Sequence, residues 1–235
     1  MERLIRRFVL VICMLAVAAQ ASAEIVLLSQ SRSVSGFAAA SDPNFGYEED
    51  SDTILASDFG LFEEEISIDV YSSWSSAHCS AAQNSEVQTG HFSIHGSAAT
   101  AVDPDWWSAS GGNAVGRSEF EVIFEVLTPT PFSLIGSLAT TKYDRGSFGG
   151  AELQLDLDGE TYLSFYVHND DDDLSVSEVG ILEPGVYTLI LNATTDADSG
   201  EYPAGSSSSF DIDFLMVTPV ATDEMAWGQI KALYR

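Results

Sequence analysis

Asp170, Asp171, Asp172 and Asp173 form a run of four carboxylates directly after His168-Asn169, the densest charge in the chain. Like charges this close repel, so the run is either solvated or neutralised by a cation. Hard carboxylate oxygens suit calcium, and Asp196 and Asp198 are further donors for such a site. A second acidic stretch, Asp156-Leu157-Asp158-Gly159-Glu160, superficially resembles a calcium loop. An EF-hand needs a bidentate Glu at its last ligand position, where this chain has Val167, so a hairpin turn is expected instead. His91 and His95 are the one close histidine pair. On a strand they lie about 13 Å apart, too far for one ion.

Trp106-Trp107 follows Asp103-Pro104-Asp105. Exposed indole beside carboxylate suits stacking on a sugar ring with hydrogen-bonding neighbours, which makes Trp106, Trp107, Asp103 and Asp105 candidate ligand residues. A tryptophan pair equally serves to plug the edge of a core, since each ring buries a large apolar area. Catalytic signals are lacking. Gly146-Ser147-Phe148-Gly149-Gly150 has the wrong spacing for a nucleophile elbow, and Gly111-Gly112-Asn113-Ala114-Val115-Gly116 opens no helical pattern. The carboxylates are too numerous to single out an acid and nucleophile pair. No catalytic residue is expected and no cofactor is required, calcium being the possible exception.

The elements that must position these groups begin after residue 23. Arg3, Arg6 and Arg7 precede an apolar run from Phe8 to Ala19, and Ala21-Ser22-Ala23 offers small residues for signal peptidase. The run is about 12 residues, short of the roughly 20 that span a bilayer. A secreted, extracellular or periplasmic protein is expected, with no membrane span after cleavage. The whole chain has 36 acidic and 9 basic side chains, a formal charge of −27. Glu2 and three arginines leave with residues 1–23, which deepens the charge by two, to −29. Such a surface repels phosphate backbones, so nucleic acid is excluded as a partner. Cys79 is the single cysteine beyond residue 23; it is expected to be a buried apolar side chain or to pair between chains.

The body alternates with period 2 between Gly, Pro, Asn, Asp and Ser breaks, which predicts strands. Ile66, Ile68 and Val70 share one face; so do Phe92 and Ile94, and Phe120, Val122, Phe124 and Val126. Phe132, Leu134 and Leu138 follow Pro129-Thr130-Pro131, and Val186, Thr188 and Ile190 follow Pro184-Gly185. Phe210, Ile212, Phe214 and Met216 form the last such set. A hairpin is expected from Ala151 to Val167. A three-residue loop Leu157-Asp158-Gly159 would bring Ala151, Leu153 and Leu155 to the face of Thr161, Leu163 and Phe165; a two-residue Asp158-Gly159 loop would oppose Leu157 to Glu160. Residues 41–58, 101–117 and 193–209 read as long surface loops. The expected fold is one all-β, antiparallel β-sandwich, jelly-roll-like, of roughly 8–10 strands over residues 24–217.

After a linker at residues 218–222, residues 223–235 carry helical spacing: Trp227, Ile230, Leu233 and Tyr234 recur at i, i+3, i+6 and i+7. Asp223 and Glu224 at the start and Lys231 and Arg235 at the end match the helix dipole. The Ser/Ala-rich strands, the LEPGVYTL segment at residues 182–189 and the SSSSFDIDFLMVTPV finish at residues 206–220 resemble exported bacterial β-sandwich proteins sorted by exosortase, the PEP-CTERM class. That family continues with Pro-Glu-Pro, a membrane helix and an arginine cluster; here Thr218-Pro219-Val220 stands instead, without a spanning helix. The closing Trp227-Gly228-Gln229-Ile230-Lys231-Ala232-Leu233-Tyr234-Arg235 is similar to the WGxIKxLYR tails of other exported bacterial proteins. A non-catalytic exported bacterial protein acting at the cell surface or in the extracellular matrix is expected, and the short amphipathic basic tail is expected to be a sorting or recognition element. A carbohydrate-binding module using Trp106 and Trp107 is the main alternative, and a hydrolase without a recognisable motif the third. A polysaccharide or cell-surface component is the expected partner.

Overall fold

Alternation of apolar and small polar residues along extended segments gives each strand one face to bury, and two sheets meet over those faces. The computed structural model describes residues 25–42, 46–104, 110–142, 146–168, 172–199 and 202–217. Its strands in chain order are β1 (Ile25–Asp42), β2 (Gly46–Leu55), β3 (Leu61–Tyr71), β4 (Ser75–Gln88), β5 (His91–Pro104) and β6 (Gly111–Val126). They continue as β7 (Thr130–Lys142), β8 (Ser147–Leu157), β9 (Glu160–His168), β10 (Asp172–Leu182), β11 (Gly185–Ser199) and β12 (Ala204–Met216). The first sheet runs β2-β1-β6-β11-β8-β9 and the second β10-β7-β12-β5-β4-β3, and every pairing is antiparallel. The expected signal segment, linker and helical tail, residues 1–23, 218–222 and 223–235, lie outside the described residues.

The sandwich has 12 strands rather than 8–10, and much of what reads as loop in the sequence is strand. β2 occupies residues 46–55, exposed along nearly all its length and bonded only to β1. Its Glu48, Glu49, Asp50 and Asp52 leave no apolar periodicity to read, and they guard a free sheet edge against a second chain. β5 and β6 take in residues 101–104 and 111–117, and β11 and β12 take in most of 193–209. β11 also corrects a face assignment. Tyr187, Leu189 and Leu191 are the buried set, while Val186, Thr188 and Ile190 face outward. Both sets are largely apolar, and tertiary contacts decide between them. Tyr187 stacks on Phe124 at 5.5 Å and its hydroxyl donates to the Glu183 carbonyl at 2.9 Å.

The core is uneven along the strands. At one end Phe92, Phe124, Phe132 and Phe214 interlock at centroid distances of 5.4–6.0 Å. At the other the core is Ala38, Ala40, Ala77, Cys79, Ala114, Ala197 and Ala204 with a few larger residues. There the backbones nearly touch: a Cβ on Gly116 of β6 would lie 2.9 Å from the Ser80 carbonyl oxygen in the other sheet.

The hairpin β8–β9 combines both expected loops. Asp158 and Gly159 form a two-residue turn with φ of 52° and 85°, left-handed at both positions, and Leu157 opposes Glu160. A bulge then admits one extra residue and restores Leu155 opposite Leu163 and Leu153 opposite Phe165. The turn chemistry and the apolar pattern are thereby both satisfied.

Arg32 of β1 is only 1% exposed and points between the sheets. Its guanidinium donates to the Gln30 side chain at 3.0 Å, the Gly60 carbonyl at 2.8 Å, the Ser85 carbonyl at 3.1 Å, the Ser85 hydroxyl at 3.2 Å and the Asp58 carbonyl. It also lies over the Phe62 ring at 5.6 Å. Burial pulls its pKa below the usual arginine value, with the nearby Asp58 charge opposing the effect. One side chain thus ties β1, the crossover from β2 to β3, and β4.

Replacing Arg32 with Met should leave those carbonyls without donors and lower stability by at least about 3 kcal/mol. Amide exchange should rise first at residues 56–60. Arg32→Lys keeps the charge but not the planar fork, so it should lose less than Met yet remain below the parent. Urea denaturation of the three proteins checks this, and a Met variant as stable as the parent would refute the clamp.

Cys79 is fully buried among alanines, and a Cβ on Gly36 would lie 2.7 Å from its sulfur. The buried alternative therefore holds, and inter-chain pairing is incompatible with the folded state. Burial is the largest cause raising its pKa. The raised value keeps it a thiol through the ordinary cysteine range, about pH 8–9. Iodoacetamide should leave native Cys79 unmodified across that range and label it fully in denaturant; rapid native labelling would contradict this packing.

Candidate functional site

The expected site residues are divided by the fold. Trp106, Trp107 and Asp105 lie outside the described residues, as do Asp170 and Asp171 and all of the tail, Trp227 to Arg235. Asp103 is exposed near the end of β5, opposite Ser76 of β4 on the outer face of the second sheet. Asp172 and Asp173 open β10 at the edge of that sheet, opposite Thr140 and Ala139. Asp196 and Asp198 sit on the outer face of the first sheet, in β11, so they cannot join Asp172 and Asp173 around one ion. Among the described residues no three His, Cys, Asp or Glu side chains gather as a metal site.

Strand geometry separates His91 from His95 as expected, and each takes an aspartate partner instead. His95 meets Asp211 at 2.9 Å and His91 meets Asp213 at 2.5 Å, both across β5 and β12. His78 meets Asp69 at 2.9 Å across β4 and β3. These pairs are solvent-exposed, so each contributes little to stability. Beside them a groove of about 630 Å³ crosses β3, β4, β5 and β12. Glu63, Glu65, Asn84, His95 and Asp211 rim it, and its floor is Ala82, Ser97 and Ser209. Its rim is polar, and the phenylalanine beneath it, Phe210, is buried in the core.

A different cleft, about 360 Å³, lies on the outer face of the first sheet. It forms because β8 and β9 pair Gly150 with His168 and Glu152 with Tyr166. Phe148, Gly150 and Glu152 then share the outer face of β8, and Tyr166 and His168 share that of β9. His168 stands 6.4 Å from the Phe148 ring and 5.6 Å from Tyr166, so three rings form one row. Gly150 is the floor: a Cβ there would lie 3.3 Å from Phe148. Thr194 of β11, opposite Gly150, supplies a hydroxyl wall. Tyr166 is 66% exposed and Phe148 41%, an open apolar surface that folding leaves uncovered. Flat rings with a carboxylate, a hydroxyl and an imidazole alongside can stack on a ligand ring and hydrogen-bond its rim.

Sequence reasoning sought such a platform at Trp106 and Trp107 and passed over this one. The signal was present as aromatic residues at polar-face positions, Tyr166 and His168, alternating with the buried Val167 and half-buried Phe165. In the sequence Phe148 stands within Gly146-Ser147-Phe148-Gly149-Gly150, whose spacing does not make a nucleophile elbow. Its link to Tyr166 depends on the bulged register, which no local spacing reveals.

No protein-family model matches the chain, and no curated protein matches it. Among solved structures, the infectious bursal disease virus VP2 subviral particle matches at 12% identity and a TM-score of 0.19, over 85% of this chain and 64% of that one. The chain thus spans less than two thirds of that protein, and a likeness this weak bears on neither fold nor function.

Proposed function

We propose that this is an exported, non-catalytic bacterial protein of the cell surface or extracellular matrix, and that it works by binding polysaccharide in the Phe148–Tyr166–His168 cleft. The row of exposed rings over Gly150 carries the reading, because contiguous exposed apolar surface rimmed by polar groups marks binding sites. The chemistry is that expected for a carbohydrate-binding module, with the site moved from Trp106 and Trp107 to the β8–β9 hairpin. The strongly acidic surface, at −27 for the chain, favours dispersed, soluble molecules and uncharged or cationic partners. The tail from Trp227 to Arg235 remains a proposed sorting or recognition element. Its apolar side chains cover one side of a segment too short to be stable alone, which supports a recognition role.

Electrophoresis through gels containing soluble polysaccharides tests the binding. At least one polysaccharide should retard the protein. Tyr166→Ala should weaken the interaction roughly ten-fold, the scale of one lost aromatic contact. Gly150→Val, which fills the cleft floor, should act in the same direction without lowering the melting temperature much. Retardation that survives Tyr166→Ala but is lost in Trp107→Ala would return the site to the loop. A broad panel with no retardation would end the polysaccharide reading.

Removing residues 221–235 should change the melting temperature little and alter where the exported protein accumulates. Aggregation or unfolding of the truncated chain would make the tail structural instead.

A further inference from the structure

We propose that the Phe148–Tyr166–His168 cleft selects amine-bearing glycans, polymers whose hexosamine units carry a free ammonium, over neutral ones. This rests on the polysaccharide reading above and adds the charge of the ligand to it.

Three features converge on a cation. Glu152 lines the cleft on β8 and stands opposite Tyr166, while Asp196 of β11 stands opposite Phe148. A carboxylate therefore stands beside each end of the ring row, both on its β11-facing side, each about one interstrand spacing away, near 5 Å. The ring faces are themselves electron-rich and attract an ammonium held within about 6 Å of a centroid. The formal charge of −27 adds a field that concentrates cations at the whole surface. A neutral sugar would offer Glu152 hydroxyl donors only, whereas an ammonium offers the stronger charge-assisted hydrogen bond.

The arrangement also places the ammonium. Arg117 of β6 lies opposite Thr194, one strand beyond the cleft, and opposes positive charge on that side. Asp196 already accepts from the Asn113 side chain at 3.5 Å. Glu152, between Asn192 and Tyr166 in register, is thus the carboxylate that meets the ammonium. The rings stand in a row on an open sheet face and do not close into a cage. That shape suits successive units of a polymer lying across β8 and β9 better than one small capped ammonium ion.

Titration calorimetry on the full chain at about 0.15 M salt would compare deacetylated chito-oligosaccharides, their N-acetylated counterparts and cello-oligosaccharides. The deacetylated ligand should bind at least ten-fold tighter than either other. Glu152→Gln should erase that preference, the expected scale for one charge-assisted bond, and Tyr166→Ala should weaken all three. Both positions are on the outer face, so circular dichroism should show unchanged folding. Equal affinity for the three ligands would overturn the amine selectivity and leave polysaccharide binding standing. Silence with all three would overturn both. Binding of the deacetylated ligand that neither substitution alters would reflect attraction to the acidic surface at large and would also overturn the assignment to this cleft.

Discussion

The fold depends on how a buried cation is kept satisfied at the edge of the sandwich. The chain crosses from the first sheet to the second at residues 56–60, where β2 ends and β3 begins, and a crossover of that kind has no ladder of its own. Arg32 supplies the missing donors: it reaches Asp58, Gly60 and Ser85, while its own carbonyl accepts from Ala56 at 2.9 Å. Among the described residues no carboxylate lies within ion-pair distance, so carbonyl dipoles and the Phe62 ring carry most of the compensation. Two residues before Ser85 on the same inward face, Gln83 is 2% exposed and neither of its amide atoms finds a partner among the described residues. An arginine reaching from the opposite sheet is met from several sides; a shorter amide in the next inward position is not.

The candidate site inherits its geometry from a conflict settled within one hairpin. Asp158-Gly159 favours a tight turn, and the apolar residues of β8 and β9 favour a register one residue away from what that turn alone would give. The bulge resolves the two, and in doing so it fixes which side chains stand beside Gly150. Without it Tyr166 and His168 would turn to the other face. The position of the rings is therefore a consequence of how Leu155, Leu163 and Phe165 are buried.

Strands with one clean apolar face were legible in the sequence. Phe120 to Val126 and Phe210 to Met216 are buried on the faces their alternation indicates. β11 was misread because Val186-Thr188-Ile190 and Tyr187-Leu189-Leu191 compete as apolar sets, and only packing on Phe124 separates them. β2 and β10 were illegible for a different reason. Their acidic residues face water on one or both sides, and hydrogen bonds to β1 and β7, rather than burial, make them strands. The cleft escaped because it is a relation between two strands in a particular register, while each ring by itself looks like an ordinary surface aromatic.

The thin end of the sandwich bears on how such a sequence can drift. Gly36 meets the Cys79 sulfur and Gly116 the Ser80 backbone, and neither has room to grow by itself. A larger residue on one sheet is accepted only if its counterpart on the other has already shrunk, and at Gly116 the counterpart is backbone, which cannot shrink. Substitutions at this end must therefore arise in matched pairs or not at all. The aromatic end is built from large side chains that can trade volume with one another, so volume-conserving exchanges are the ones open to it. Across descendants of this chain the two halves of one core would diverge at different rates, and covariation between the sheets would concentrate where the side chains are smallest.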